Sequence, residues 1–118
     1  MIRTVSGDVG AIAGRVLGHE HLQIDLSAQK GPNNVIGQVE EPDVIADLRK
    51  ARDEHGLAAI VDLSAPGWGR DPVALRRISQ QAGVAVVCAT VLVFVHYPLP
   101  WDADDPLELP WILSLIHI

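Results

Sequence analysis

The chain has 118 residues, of which 48% are hydrophobic and 20% charged, and a formal net charge of −6. That length suits one domain with one modest core, and that balance excludes a disordered polar tract. The acidic surplus, with no clustered Lys/Arg stripe, argues against binding nucleic acid through its phosphates.

Residues 1–18 are rich in glycine and small apolar residues. They predict a short strand or hairpin with turns near Gly7-Asp8 and Gly14. Asp8 and these glycines stand where a secretory leader would carry an apolar run, so no such signal is read. Residues 16–24, extended back to Arg15, read as a strand running into a loop. Residues 27–41 form a polar segment with Gly31-Pro32-Asn33-Asn34 and Gly37, long for a plain connection and expected to cover a site.

A helix is predicted from Pro42 or Asp43 to His55. Pro42 suits a first helical turn and Asp43 places negative charge there. Val44, Ile45, Leu48 and Ala51 fall on one face at helical spacing. Lys50 and Arg52 lie toward the C-terminal half, His55 complements the helix end, and Gly56 is the left-handed stop. Residues 57–63, Leu-Ala-Ala-Ile-Val-Asp-Leu, then read as a strand buried on both faces, as in a parallel sheet.

The pattern repeats. Asp71 is the predicted N-cap and Pro72 the first residue of a second helix, with Val73, Leu75, Ile78 and Ala82 as its apolar side and Gly83 as its stop. Residues 84–89 are the next strand. Strand, helix, strand, helix, strand is the order of βαβ units and implies an α/β fold with a parallel sheet.

Cys88 lies within this last apolar run. It reads as a reduced core cysteine rather than a nucleophile, which implies a reducing compartment and a cytoplasmic location. The apolar stretch from Val84 to Val95 is interrupted by Thr90 and is far too short to span a membrane. After Thr90 the character changes. Val91 to Tyr97 is apolar, prolines and the acidic run Asp102-Ala103-Asp104-Asp105 follow, and the last eight residues are strongly apolar. His96 and His117 receive no role, while Trp101 and Trp111 are expected to cover apolar surface.

The chemistry concentrates in His19-Glu20-His21. Alternate residues of a strand point to one side, so His19 and His21 present two imidazoles to one place while Glu20 points away. Neutral imidazole is a common ligand for zinc and similar ions, and two can share one ion. The plainer alternative is a pair of partly exposed histidines at a strand end. Asp62 could face the same site but more readily caps or contacts a helix. Arg70 and Asp71 more readily pair or cap, and Trp68 stands where it could wall a substrate pocket. No Ser-His-Asp grouping or phosphate-cradling Gly-x-Gly-x-x-Gly follows a strand.

The stretch Gly18-His19-Glu20-His21-Leu22 resembles the opening motif of the phosphotriesterase family in the amidohydrolase superfamily. Asp62 at the end of the second strand, Gly69-Arg70-Asp71 leading into the second helix, and the third strand from Gly83 to Thr90 agree with it, so the resemblance covers about residues 2–90. It implies a (β/α)8 barrel, of which the chain holds about three βα units, with two divalent metals, usually zinc, at the C-terminal ends of the strands. His19 and His21 match the first-strand metal ligands. A carboxylated lysine on the fourth strand, histidines on the fifth and sixth, and an aspartate on the eighth complete the family's site, and none has a counterpart in this sequence.

The implied activity is hydrolysis by a metal-bound hydroxide that attacks a lactone, a carboxylic ester or a phosphotriester. The implied partners are a small-molecule substrate and a second copy of the chain in a homodimer, with no nucleic acid and no membrane. The family pattern departs after Thr90, where Val91-Leu92-Val93-Phe94 replaces the expected glycine and aromatics. The expectation is one partial domain, an N-terminal fragment inactive by itself and holding at most one partial metal site. Its residues 91–118 are set apart from the barrel, and those from about Pro110 onward are expected to be foreign to it. The alternative is a small non-catalytic α/β binding domain with incidental histidines.

Overall fold

A computed structural model describes residues 1–89. The readings of residues 91–118, including those of His96, His117, Trp101 and Trp111, lie outside the described residues. The elements are β1 (Ile2–Thr4), β2 (Gly7–Val9), β3 (Arg15–Glu20), β4 (Ile24–Asp25), α1 (Ser27–Lys30), β5 (Val35–Ile36), α2 (Glu41–His55), β6 (Leu57–Asp62), a 3-10 turn at Pro66–Trp68, α3 (Pro72–Ala82) and β7 (Ala85–Cys88).

The frame is a three-stranded parallel sheet in the order β3-β6-β7, with α2 and α3 as the crossovers. β6 is central. Leu57, Ala59, Ile60 and Asp62 are buried, as its unbroken apolar run requires of a strand covered on both faces. α2 and α3 lay Ile45, Leu48, Ile78 and Ala82 against Leu57, Ile60 and Val84, with Leu22, Val44 and Ala51 at the margin. Full burial of Ile60 and Ile78 contributes on the order of 2 kcal/mol each.

Both helices stop as read and α3 starts as read, while α2 starts slightly earlier, at Glu41. Pro42 lies in the first turn of α2, Asp71 caps α3 by accepting from the N–H groups of Val73 and Ala74, and Gly56 and Gly83 end the helices at φ of 68°. One face differs. Val73 is 72% exposed, whereas Ala74 and Ser79 are buried with Leu75, Ile78 and Ala82. At about 100° per residue, Val73 sits about 200° from Leu75 and so falls off the face that Leu75, Ile78 and Ala82 share.

The N-terminal turn also shifts. It falls at Val5-Ser6, and Gly7 and Asp8 belong to β2, which pairs Thr4 with Gly7. The Thr4 hydroxyl decides this, accepting from Ser6 N–H at 3.2 Å and donating to the Gly7 carbonyl at 2.6 Å.

The segment read as a long polar loop is more ordered than its composition suggests. β4 and β5 form a two-residue ladder, Ile24 with Ile36 and Asp25 with Val35, around the single turn of α1. Elements this short carry no periodicity to read. Asp25 fastens the turn by accepting from the backbone N–H and hydroxyl of Ser27, which hold its carboxyl below the usual range. Gly37 (φ 92°) backs directly onto the chain after the histidines, where a Cβ would lie 2.5 Å from the Leu22 carbonyl oxygen.

Candidate metal centre

β3, β6 and β7 end together, with Glu20 beside Asp62 and Asp62 beside Cys88. Side chains at this edge therefore converge where parallel α/β sheets keep their sites. His19 is the second-last residue of β3, and His21 is the first residue beyond it. The pairing with β6 shifts between Leu17 and Glu20, yet the two imidazoles still meet edge to face with centroids 5.7 Å apart.

His19 is exposed and His21 half-buried. His21 is held on two sides. Its ring meets Trp68 edge to face at 6.0 Å, and its Nδ1 lies 3.0 Å from the Ser64 hydroxyl. That hydroxyl donates to the Gln23 carbonyl at 3.1 Å, and Ser64 is 1% exposed. The Gln23 side chain in turn donates to the Gly37 carbonyl at 3.1 Å, which ties the β4–β5 segment to the site.

Asp62, 0% exposed, braces the chain. One carboxylate oxygen accepts from Leu22 N–H at 2.9 Å and the other from Ser64 N–H at 2.8 Å. The residues following both strand ends thus hang from one carboxylate. Arg70 donates to the Ala89 carbonyl and Asp71 is spent on its cap. His55 closes α2, exposed and 3.9 Å from Glu54. Burial raises the Cys88 thiol, Arg70 opposing it and Asp62 adding to it, so the group is held as a thiol rather than a nucleophilic thiolate.

Among the described residues no group of three or more His, Cys, Asp and Glu side chains comes close enough to enclose an ion. The donors present still suit one. Two imidazoles on a single zinc at about 2.0–2.1 Å place their centroids roughly 5–6 Å apart, the range seen between His19 and His21. Ser64 is the residue that sequence reasoning missed. Its signal was the Asp62-Leu63-Ser64 pattern, in which an aspartate accepts from the N–H two residues on and turns the chain at a strand end.

The sequence model of the phosphotriesterase family matches residues 1–99. Comparison with curated proteins finds no significant match. Among solved structures, a resiniferatoxin-binding protein from Rhodobacter sphaeroides is 29% identical with a TM-score of 0.62, over 74% of this chain and 32% of its own. A protein engineered for organophosphate hydrolysis from a weak promiscuous lactonase is 28% identical with a TM-score of 0.62, over 78% of this chain and 30% of its own. An organophosphorus hydrolase from Deinococcus radiodurans is 27% identical with a TM-score of 0.58, over 74% and 27%. The chain spans about a third or less of these relatives' length. The α/β frame of β3, β6, β7 and their helices is accordingly the N-terminal portion of a (β/α)8 barrel. The chain belongs to the phosphotriesterase family, a family of hydrolases.

Proposed function

We propose that His19 and His21 are the first-strand half of a divalent-metal site in a hydrolase that acts on lactones or other carboxylic esters, with phosphotriesters the less favoured substrates. The observation that carries this reading is the pair of imidazoles, 5.7 Å apart, at the C-terminal end of a parallel strand. The names of two similar proteins, a lactonase template and an organophosphorus hydrolase, support the substrate class. A divalent ion, most simply zinc, supplies Lewis acidity toward the substrate's carbonyl or phosphoryl oxygen and makes water a nucleophile near neutral pH.

The chain's own residues do the positioning. His19 and His21 donate nitrogen lone pairs to the ion. Trp68 shields one side of His21 from water, and Asp62 holds the two segments beyond the strand ends. The two imidazoles that meet among the described residues do not enclose a pair of ions, so this reading gives the chain at most one, held loosely, and no activity alone.

Zinc titration by calorimetry, with a lactone panel assayed before and after chelator, tests the reading. The expected result is one loosely held zinc per chain and no more, lost in His19→Ala and in His21→Ala, without lactone turnover. Zinc uptake unchanged in the double variant would sink the metal site. Chelator-sensitive lactone hydrolysis by the chain would overturn its inactivity.

A further inference from the structure

We infer that Ser64 fixes the proton of neutral His21 on Nδ1 and so keeps Nε2 as its lone-pair nitrogen, making Ser64 a positioning residue for metal capture. The functional meaning rests on the reading of His21 as a ligand, whereas the position of the proton does not.

The Ser64 hydroxyl has one hydrogen and two lone pairs. It donates that hydrogen to the Gln23 backbone carbonyl at 3.1 Å, a partner that can only accept. Toward His21 Nδ1, 3.0 Å away, the oxygen therefore offers only a lone pair. The contact is a hydrogen bond only if Nδ1 carries the hydrogen, and a neutral imidazole then has none on Nε2. Turning the Ser64 hydroxyl toward His21 would reverse this, but it would strip the Gln23 carbonyl of that donor in a place closed to water. Gln23 is 7% exposed and Ser64 is 1% exposed.

The surroundings hold the arrangement in place. Ser64 N–H is pinned to Asp62, and the same carboxylate pins Leu22 N–H, one residue beyond His21. Donor and acceptor are thereby fixed to one group across the β3–β6 junction. Partners of this kind, which orient a ligating histidine through its other nitrogen, set both tautomer and ring direction.

The test is long-range proton–nitrogen NMR of the metal-free 118-residue chain, labelled at histidine nitrogens, at a pH where imidazole is neutral. Zinc titration of the same samples follows. The expected spectrum gives His21 a protonated Nδ1 and a bare Nε2. In Ser64→Ala the two tautomers mix and zinc affinity falls about ten- to a hundredfold. A His21 protonated on Nε2 in the unaltered chain overturns the inference, and this measurement decides it even if Ser64→Ala does not fold. An unchanged tautomer or unchanged zinc affinity in Ser64→Ala overturns it as well. If the unaltered chain takes up no zinc, the metal reading fails, while the spectrum still decides the proton's position.

Discussion

Asp62 shows how one side chain can serve a site without joining it. Its carboxylate is fully buried and accepts from two backbone N–H groups, those of Leu22 and Ser64. Removing a charged acceptor strands both donors. Asp62→Ala should therefore lower stability by about 3 kcal/mol, read as an earlier midpoint in urea with an unchanged slope. A midpoint equal to that of the unaltered chain would mean the carboxylate is not the brace. Glu41 makes the complementary case at the surface. Hydrogen bonding from Arg77, at 2.5 and 2.8 Å, holds its carboxyl below the ordinary 4.5, against the opposing effect of partial burial. With the folded value lowered, this stabilisation is complete above the ordinary value and is lost as the pH falls through the folded one. Glu41→Gln should flatten that part of the acid limb when thermal midpoints are measured against pH. Identical acid limbs would count against the pair.

At the scale of elements, α2 and α3 are joined by polar contacts at both ends. Glu41 in the first turn of α2 meets Arg77. Arg49 and Arg52 farther along reach the carbonyls of Gln81 and Ala82 at the end of α3, at 2.9 and 2.6 Å. The arginines thus serve the neighbouring helix's exposed carbonyls rather than their own, a use that charge near a helix end does not reveal. α3 depends on its cap. Asp71→Ala should cost about 1 kcal/mol, because two first-turn N–H groups lose their acceptor. Hydrogen exchange at Val73 and Ala74 should accelerate by the corresponding factor of roughly five to ten. Exchange unchanged at these two amides would show that Asp71 is not the cap that matters.

For the whole molecule, the controlling feature is β3. It is one of the two edge strands of the parallel sheet among the described residues, and Val16 and Leu17 are 49% and 44% exposed on it. In a closed barrel such residues have a neighbouring strand. Among the described residues nothing pairs with this outer edge of β3, which leaves apolar surface and backbone groups open to other molecules. The chain alone should self-associate in the micromolar range, seen by sedimentation velocity as a weight-average mass that rises with concentration. Replacing Val16 and Leu17 with threonine should reduce it. A concentration-independent monomer with a sharp cooperative melt would refute this.

Much of this protein was written in local pattern. The helices were legible because Pro42, Asp71, Gly56 and Gly83 punctuate them and because Ile45, Leu48, Leu75 and Ile78 recur at helical spacing. The parallel sheet was legible in the unbroken apolar run of β6, and the histidine pair in its alternate spacing. Val73 and the Gly7 turn were misread where a local cue competed with the packing of α3 and with the Thr4 hydroxyl. Tertiary structure alone decided what surrounds His21. Ser64 lies 43 positions away, Asp62 grips the chain 40 positions back, and Trp68 arrives on a 3-10 turn. Periodicity reports which side of its own element a residue faces, and the hydrogen bonds that fix a side chain's proton come from other elements brought close only by folding.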